Sequence, residues 1–348
     1  MDAIILAAGL GTRLRPLTSK LPKPMMPIFD KPLLARQVQW LTSQGIQWVV
    51  ANAWHSADVL YEYVNSPKWF QDTQQPNLAI FRDNEELLGT GGGVRHLSSR
   101  ISTKPAFLIL NGDVLFATDM NAAYETHQKM GADLTLIVVQ RPELPQSLHK
   151  VGWDSEGLVR VIDGFPHAQP HLQYGIYTGA LIATDALLDI LPFRGPSCLK
   201  QDGFWPMLGA GHRIAAHLST DYWSDIGTPM SYLTTHFDIM HQPELVSHWI
   251  TAEKWTYDFS TANGLNHQSH RRPAAEQLAS IRLIPPYFIG NDVRLGQGVT
   301  IGPWAVIGSG STVQSSVQVL KSLVWANSIV SQSCRHCVVT PDLILESV

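Results

Sequence analysis

An α/β region followed by a parallel β-coil is the fold class this sequence predicts. Three observations predict it. Short apolar runs alternate with helical stretches up to about Met240, a six-residue hydrophobic period fills the C-terminus, and a polar stretch rich in His, Ser, Asn and Pro separates them. Runs that are apolar throughout belong to strands covered on both faces, so the sheet is expected to be largely parallel. The 348 residues suffice for two domains, read as 1–241, a linker over 242–283, and 284–348.

The elements follow in order. "AIILA" (Ala3–Ala7) reads as a buried strand, and "KPLLARQVQWLTSQG" as a helix with Pro32 near its first turn and Gly45 beyond its end. Gln47–Ala53 forms a second strand, and Ser56 is placed to cap a helix running to Val64. "NLAIF", a helix after the glycines at 91–93, "AFLILNGD" and Ala132–Gln140 continue the alternation. Shorter strands between Val151 and Ile182 predict a mixed insertion beside the main sheet. Then Ile289, Leu295, Ile301, Ile307, Val313, Val319 and Trp325 recur every six residues, with glycine after the first four. That period fits neither a helix nor a hairpin; it fits a parallel β-helix in which each hexapeptide forms one side of a coil.

Composition narrows the function. Hydrophobic residues make up 45% and charged residues 16%, which excludes disorder. A net charge of -4 without a basic block excludes general nucleic-acid binding. Three cysteines are too few for a disulfide framework, and no apolar run is long enough to span a membrane. The first residues lack a basic leader, so a soluble, cytoplasmic protein is expected. "CRHC" (334–337) is half of a zinc motif without a second pair, and is read as core filling.

The chemistry starts at "GLGTR", a glycine loop after a strand, where backbone N–H groups can cradle phosphates. It is not a dinucleotide fingerprint: Leu14 stands where a third glycine belongs, and no acid ends the second strand. Nor does it carry the Gly-Lys-Ser/Thr ending of a P-loop. Arg13 and Lys23 add positive charge, and Pro16, Pro22, Pro24 and Pro27 restrict the chain around them. Rigid cations around a phosphoryl group are what phosphoryl or nucleotidyl transfer uses.

"LAAGLGTRLRPLT" with "PKPMMPI" resembles the signature of the sugar-1-phosphate nucleotidyltransferases, and "LGTGGG", "LNGD", "YTGALI" and "WSDIGTP" extend the likeness. The resemblance implies a Rossmann-like catalytic domain followed by a small left-handed parallel β-helix. It implies a nucleoside triphosphate and a sugar 1-phosphate as substrates, with Mg²⁺ held by Asp113 and Asp225. Arg13 would lie along the triphosphate and Lys23 would contact the α-phosphate, as the catalytic pair. Leu6, Ala7, Ala8, Gly9, Gly11, Thr12, Gly89 and Thr90 would border the nucleotide. Glu86, beside Glu85, is placed to accept from a guanine edge, although a solvated acidic turn is the plainer reading.

Asn111, Thr178 and Gly179 would border the sugar. Where relatives carry Glu-Lys-Pro this chain has "IDGFPHAQP", which leaves Lys200 as the candidate sugar-phosphate anchor. GTP with mannose 1-phosphate is the preferred pair. UTP with an N-acetylated amino-sugar 1-phosphate is the alternative, and a non-catalytic nucleotide-binding subunit the third reading. The aliphatic coil predicts a homo-oligomer, with Trp304 and Trp325 facing a neighbouring subunit and Trp223 packing below the metal site. Removing residues from about 284 onward is then expected to disturb assembly more than chemistry.

Overall fold

The structure is a computed structural model that describes residues 1–73, 78–83, 86–141, 148–167, 169, 171–242, 280–346 and 348. Most of the expected linker, and Glu85, lie outside the described residues. The chain forms two compact units: Met1–Met25 with Leu33–Asp225, and Met26–Pro32 with Ile226–Val348. The division falls after Asp225 rather than after 241, and it assigns seven early residues to the second unit.

The first unit is a mixed, Rossmann-like α/β layer structure built on nine strands among the described residues. Ala3–Leu6 lies at its centre, parallel to both Val49–Ala53 and Phe107–Asn111. Leu78–Arg82 extends one side in parallel. On the other side Gln173–Ala183 runs antiparallel to Phe107–Asn111 and is shared with Lys150–Trp153 and Leu134–Val139. Val159–Ile162 and Ile214–Leu218 complete the sheet. The apolar runs are strands because every residue of Val49–Ala53 and Leu134–Val139 is buried, as both faces require cover.

Helices depart from expectation in two places. Ser56 does precede the helix Ala57–Val64, but its φ is 50° and its hydroxyl makes no capping bond. The glycines at 91–93 do not precede their helix; they lie inside it, over Gly89–Ser98. Helix propensity argues against that placement, yet packing decides it. A Cβ on Gly91 would stand 2.6 Å from the Ser197 hydroxyl, and one on Gly93 would stand 2.8 Å from the Asn52 amide nitrogen.

In the second unit short strands pair in three sheets that are parallel except where Ile344–Leu345 runs antiparallel to Val338–Val339. Tyr287–Ile289 pairs with Ala305–Ile307 and then Ser322–Val324; Arg294–Leu295 pairs with Thr312–Val313; Thr300–Ile301 pairs with Gln318–Leu320. The six-residue register holds to Val319 and then loses one residue at the turn through Lys321, whose φ is 45°. Val324, not Trp325, is therefore opposite Ile307 and buried in the core. Cys334 and Cys337 fill that core as free thiols, and burial pushes the Cys334 thiol up to about 11.

The same unit holds the helix Pro229–His241, opened by a Thr228–Ser231 capping box, and the hairpin Pro27–Ile28/Lys31–Pro32. Tyr232 donates to the Pro27 carbonyl at 2.6 Å and receives the Trp325 indole N–H at 3.1 Å. The Ser309 hydroxyl donates to Asp30 Oδ2 at 2.7 Å, and the Phe29 amide donates to His236 Nε2 at 3.1 Å. Trp304 packs against the rings of Phe237 and His241. Both tryptophans expected at a subunit contact thus have partners within their own chain. No helix among the described residues is long and apolar enough to cross a membrane.

Candidate active site

The strand Ala3–Leu6 ends where three loops converge, because parallel neighbours all release their C-terminal ends on one edge of the sheet. A cleft of about 190 Å³ opens there. Leu6, Ala7, Ala8 and Gly9 line it from the first loop, Gly89 and Thr90 from the helix Gly89–Ser98, and Asn111, Gly112 and Asp113 from the third loop. Lys23 enters from the turn Lys23–Met25.

Each wall is held from behind. Asn52 Oδ1 accepts the Ala7 amide at 2.9 Å, and its Nδ2 donates to both oxygens of the fully buried Asp83, at 3.0 and 3.2 Å. Burial raises the Asp83 pKa, and the Asn52 amide opposes that shift. Gln37 Nε2 donates to the carbonyls of Asn111 and Val114 at 2.8 and 2.9 Å, clamping the loop that carries Asp113. Gly112 must be glycine, since a Cβ would stand 2.7 Å from the Leu6 carbonyl. The third and fourth N–H groups of the glycine helix go to the Ser197 carbonyl, at 2.8 Å from Gly91 and 3.4 Å from Gly92.

The charges gather at one end. Lys23 Nζ lies 2.6 Å from Asp113 Oδ2, with the lysine side chain only 9% exposed. Asp225, from the strand Trp223–Asp225 that pairs with Val114–Phe116, belongs to the same field. Its pKa is raised first by burial and then by Asp113, and it is lowered by Lys23, Arg13 and His149. Burial and Asp113 thus oppose the ionisation of Asp225, while Lys23 and Arg13 favour it. Arg13 is exposed on the turn Thr12–Leu14, which follows Gly11 at φ 59° and buries Leu14.

The remaining expected residues fall as follows. Gly179 has φ 86°, and a Cβ there would meet the Asn111 amide at 2.8 Å. It belongs to a break in register between Tyr177 and Leu181, a bulge that re-aims the strand beside the cleft. Thr178 lies in that bulge but is buried, its hydroxyl donating to the Ile137 carbonyl at 2.9 Å, so it shapes the wall and does not face solvent. Trp223 supports the bulge by donating to the Thr178 carbonyl at 2.7 Å. Glu86 is exposed and does not line the cleft, and Thr12 is exposed on its turn. Lys200 sits in a π-helical turn, Leu199–Phe204, tied to the cleft because the Leu199 amide donates to Thr90 Oγ1 at 2.9 Å.

Sequence reasoning missed Gln37, Asp83, His149 and Asp163. Only Asn52, inside "NAW", carried a signal, as a polar side chain ending an apolar strand.

Residues 2–242 match the Nucleotidyl transferase family model. The chain belongs to the nucleotidyl transferase family. Among its relatives is a D-glycero-alpha-D-manno-heptose 1-phosphate guanylyltransferase of Aneurinibacillus thermoaerophilus, 30% identical over 69% of this chain and 99% of that protein. A UTP--glucose-1-phosphate uridylyltransferase of Synechocystis is 28% identical over 91% of this chain and 82% of its own length. Mannose-1-phosphate guanylyltransferase 1 of Arabidopsis thaliana is 26% identical over 99% of this chain and 86% of its own. In structure, HddC from Yersinia pseudotuberculosis, solved with GMP-PN, aligns with a TM-score of 0.56 and 25% identity over 68% of this chain and 99% of that one.

Proposed function

We propose that this nucleotidyltransferase condenses a nucleoside triphosphate with a sugar 1-phosphate to give a nucleoside diphosphate sugar and pyrophosphate. The observation that carries the reading is the contact of Lys23 with Asp113 in one cleft, beside the strand pairing that sets Asp225 opposite Val114, the neighbour of Asp113. An oxygen of the sugar phosphate bonds to the α-phosphorus, and the bond from that phosphorus to the bridging oxygen breaks. The attacking oxygen is already ionised, so no general base is required. What the reaction needs is charge neutralisation and alignment.

Lys23 supplies a cation at the α-phosphate and Arg13 one along the departing pyrophosphate. Gly9, Gly89 and Thr90 let the nucleotide approach the backbone, Asn111 and Gly179 border the sugar, and Thr178 shapes the bulge beside them. Asp113 and Asp225 repel each other, and Asp225 is held above its ordinary pKa, an arrangement that suits a hard divalent cation bound through oxygen. When bound, Mg²⁺ would neutralise phosphate charge and help align the triphosphate.

GTP with mannose 1-phosphate is the preferred pair, in line with the guanylyltransferases among the relatives. UTP remains the second reading, on the strength of the uridylyltransferase that matches over most of both chains. Retention of all four charged groups argues against a non-catalytic subunit. The repeats of the second unit are proposed to form a left-handed parallel β-helix through which copies associate, and three free thiols accord with a cytoplasmic site of action. The test is a matrix of nucleotides against sugar 1-phosphates, read as pyrophosphate release with Mg²⁺ and after its removal by chelation. Turnover of one pair is expected. Silence of the folded protein across the matrix overturns the reading.

A further inference from the structure

The segment "IDGFP" raises a question that the cleft does not answer: which cation receives the phosphate of the second substrate. Asp163 sits at φ 49°, a conformation few side chains adopt outside Asn and Asp. Its carboxylate is a hub. Lys200 Nζ stands 2.8 Å from Asp163 Oδ2, His149 Nδ1 stands 2.6 Å from the same oxygen, and the Lys150 amide donates to Oδ1 at 2.7 Å. These bonds, with the His149 charge, overcome burial and hold the Asp163 pKa far below the ordinary carboxylate range. An ammonium carries three N–H donors, and Lys200 Nζ spends one on Asp163 Oδ2 and stands 3.5 Å from His149 Nδ1. Lys200 Nζ therefore keeps donors beyond the one spent on Asp163, and the lysine side chain is 25% exposed.

The cluster borders the reaction site along two independent routes. Leu199, next to Lys200, donates to Thr90 Oγ1 in the cleft wall. His149 accepts the Tyr177 amide at 2.8 Å, immediately before the bulge that touches Asn111, and its charge is felt by Asp225. Trp205 fixes the lysine further, with Nζ 5.6 Å from its ring centre.

We propose that Lys200 anchors the phosphate of the sugar 1-phosphate, with Asp163 and His149 as the positioning residues that hold it there. The proposal rests on the nucleotidyl-transfer reading and deepens it. An exposed lysine is flexible and costly to order; here a carboxylate and an indole order it before substrate arrives. Asp163→Asn keeps the turn, because asparagine tolerates positive φ, while removing the charge that holds the ammonium.

The experiment compares the full chain with Lys200→Met, Lys200→Arg and Asp163→Asn, using the nucleotide and sugar 1-phosphate that the wild type turns over. Lys200→Met is expected to raise KM for the sugar 1-phosphate about 10- to 100-fold while KM for the nucleotide stays within about twofold. Lys200→Arg recovers part of the loss, and Asp163→Asn moves the same KM less. Calorimetric titration of the sugar 1-phosphate into each variant follows the same order, and unchanged thermal midpoints separate the effect from misfolding. If Lys200→Met leaves that KM alone, or moves both equally, the anchor is elsewhere while the reaction class stands. If the wild type turns over no pair at all, reading and anchor fall together.

Discussion

The two units bury different things. The catalytic unit encloses Lys23, Asp83, Asn52, Asp72 and Arg36 among its buried polar side chains. The coil from Tyr287 onward encloses, among the described residues, only Ser311, Ser322, Ser328 and Thr340 beside its apolar core. A buried charge costs free energy unless paired, so the first unit accepts a cost that the coil avoids, while the rest of the second unit still buries Lys31 and His236. The proposed function would account for Lys23 and Asn52, which line the cleft, and for Asp83, which holds Asn52, whereas a coil has only to stack. Glycine shows the same contrast. In the catalytic unit Gly93 makes room for a side chain, Asn52, which itself holds the Ala7 amide in the first loop of the cleft. In the coil Gly308 makes room for the backbone of the next turn, at Trp325 and Ala326.

The comparison can be broken most directly at the acids. Asp113→Asn and Asp225→Asn are each expected to lower kcat by about 10³-fold or more without loss of fold, measured as steady-state pyrophosphate release. Any substantial remaining activity would show that the paired acids are not the functional difference between the units. Next come the glycines. Gly308→Ala meets backbone that cannot yield and should cost about 3 kcal/mol in denaturant unfolding, whereas Gly93→Ala meets a side chain and should cost about 1 kcal/mol. Gly93→Ala should nonetheless impair nucleotide binding, because the displaced Asn52 holds the Ala7 amide.

A third test asks whether the units are separable. Lys23 precedes by three residues the segment Met26–Pro32, which is held within the second unit by Asp30–Ser309, Tyr232–Pro27 and the Phe29 amide bond to His236. Removing residues from 284 onward takes away Ser309, the partner of Asp30, in the segment that follows the proposed catalytic Lys23, and so tests the expectation that assembly suffers more than chemistry. The milder change Asp30→Ala should lower kcat roughly 10-fold with little change in nucleotide affinity, since small misplacement of a reacting group is expensive. Unaltered kcat would make the coil a passive appendage.

The smallest effect concerns stability. Asp225 has a raised pKa in the folded protein, so the folded state binds its proton more tightly than the unfolded chain does. Its ionisation therefore costs stability at neutral pH, and the cost disappears as pH falls through the unfolded carboxylate range. Asp225→Asn should raise the thermal midpoint at neutral pH, with the gain shrinking toward acid. Mg²⁺ should raise the midpoint of the wild type more than that of the variant.

What the sequence by itself determined is whatever repeats locally or lies contiguous in the chain. Apolar runs specified the strands, because burying both faces leaves no alternation, and the glycine loop with Arg13 and Lys23 was legible within one short stretch. The hexapeptide period was legible to Val319, where a single missing residue moved the inward position to Val324. Tertiary structure alone decided that the glycines at 91–93 are helical, that Gln37 and Asp83 stand behind the cleft, and that Lys200, Asp163 and His149 share one oxygen. Those facts depend on atoms brought together from residues far apart in the chain. Local propensity sets only a weak preference there, and packing and pairing, which no short window contains, settle the outcome.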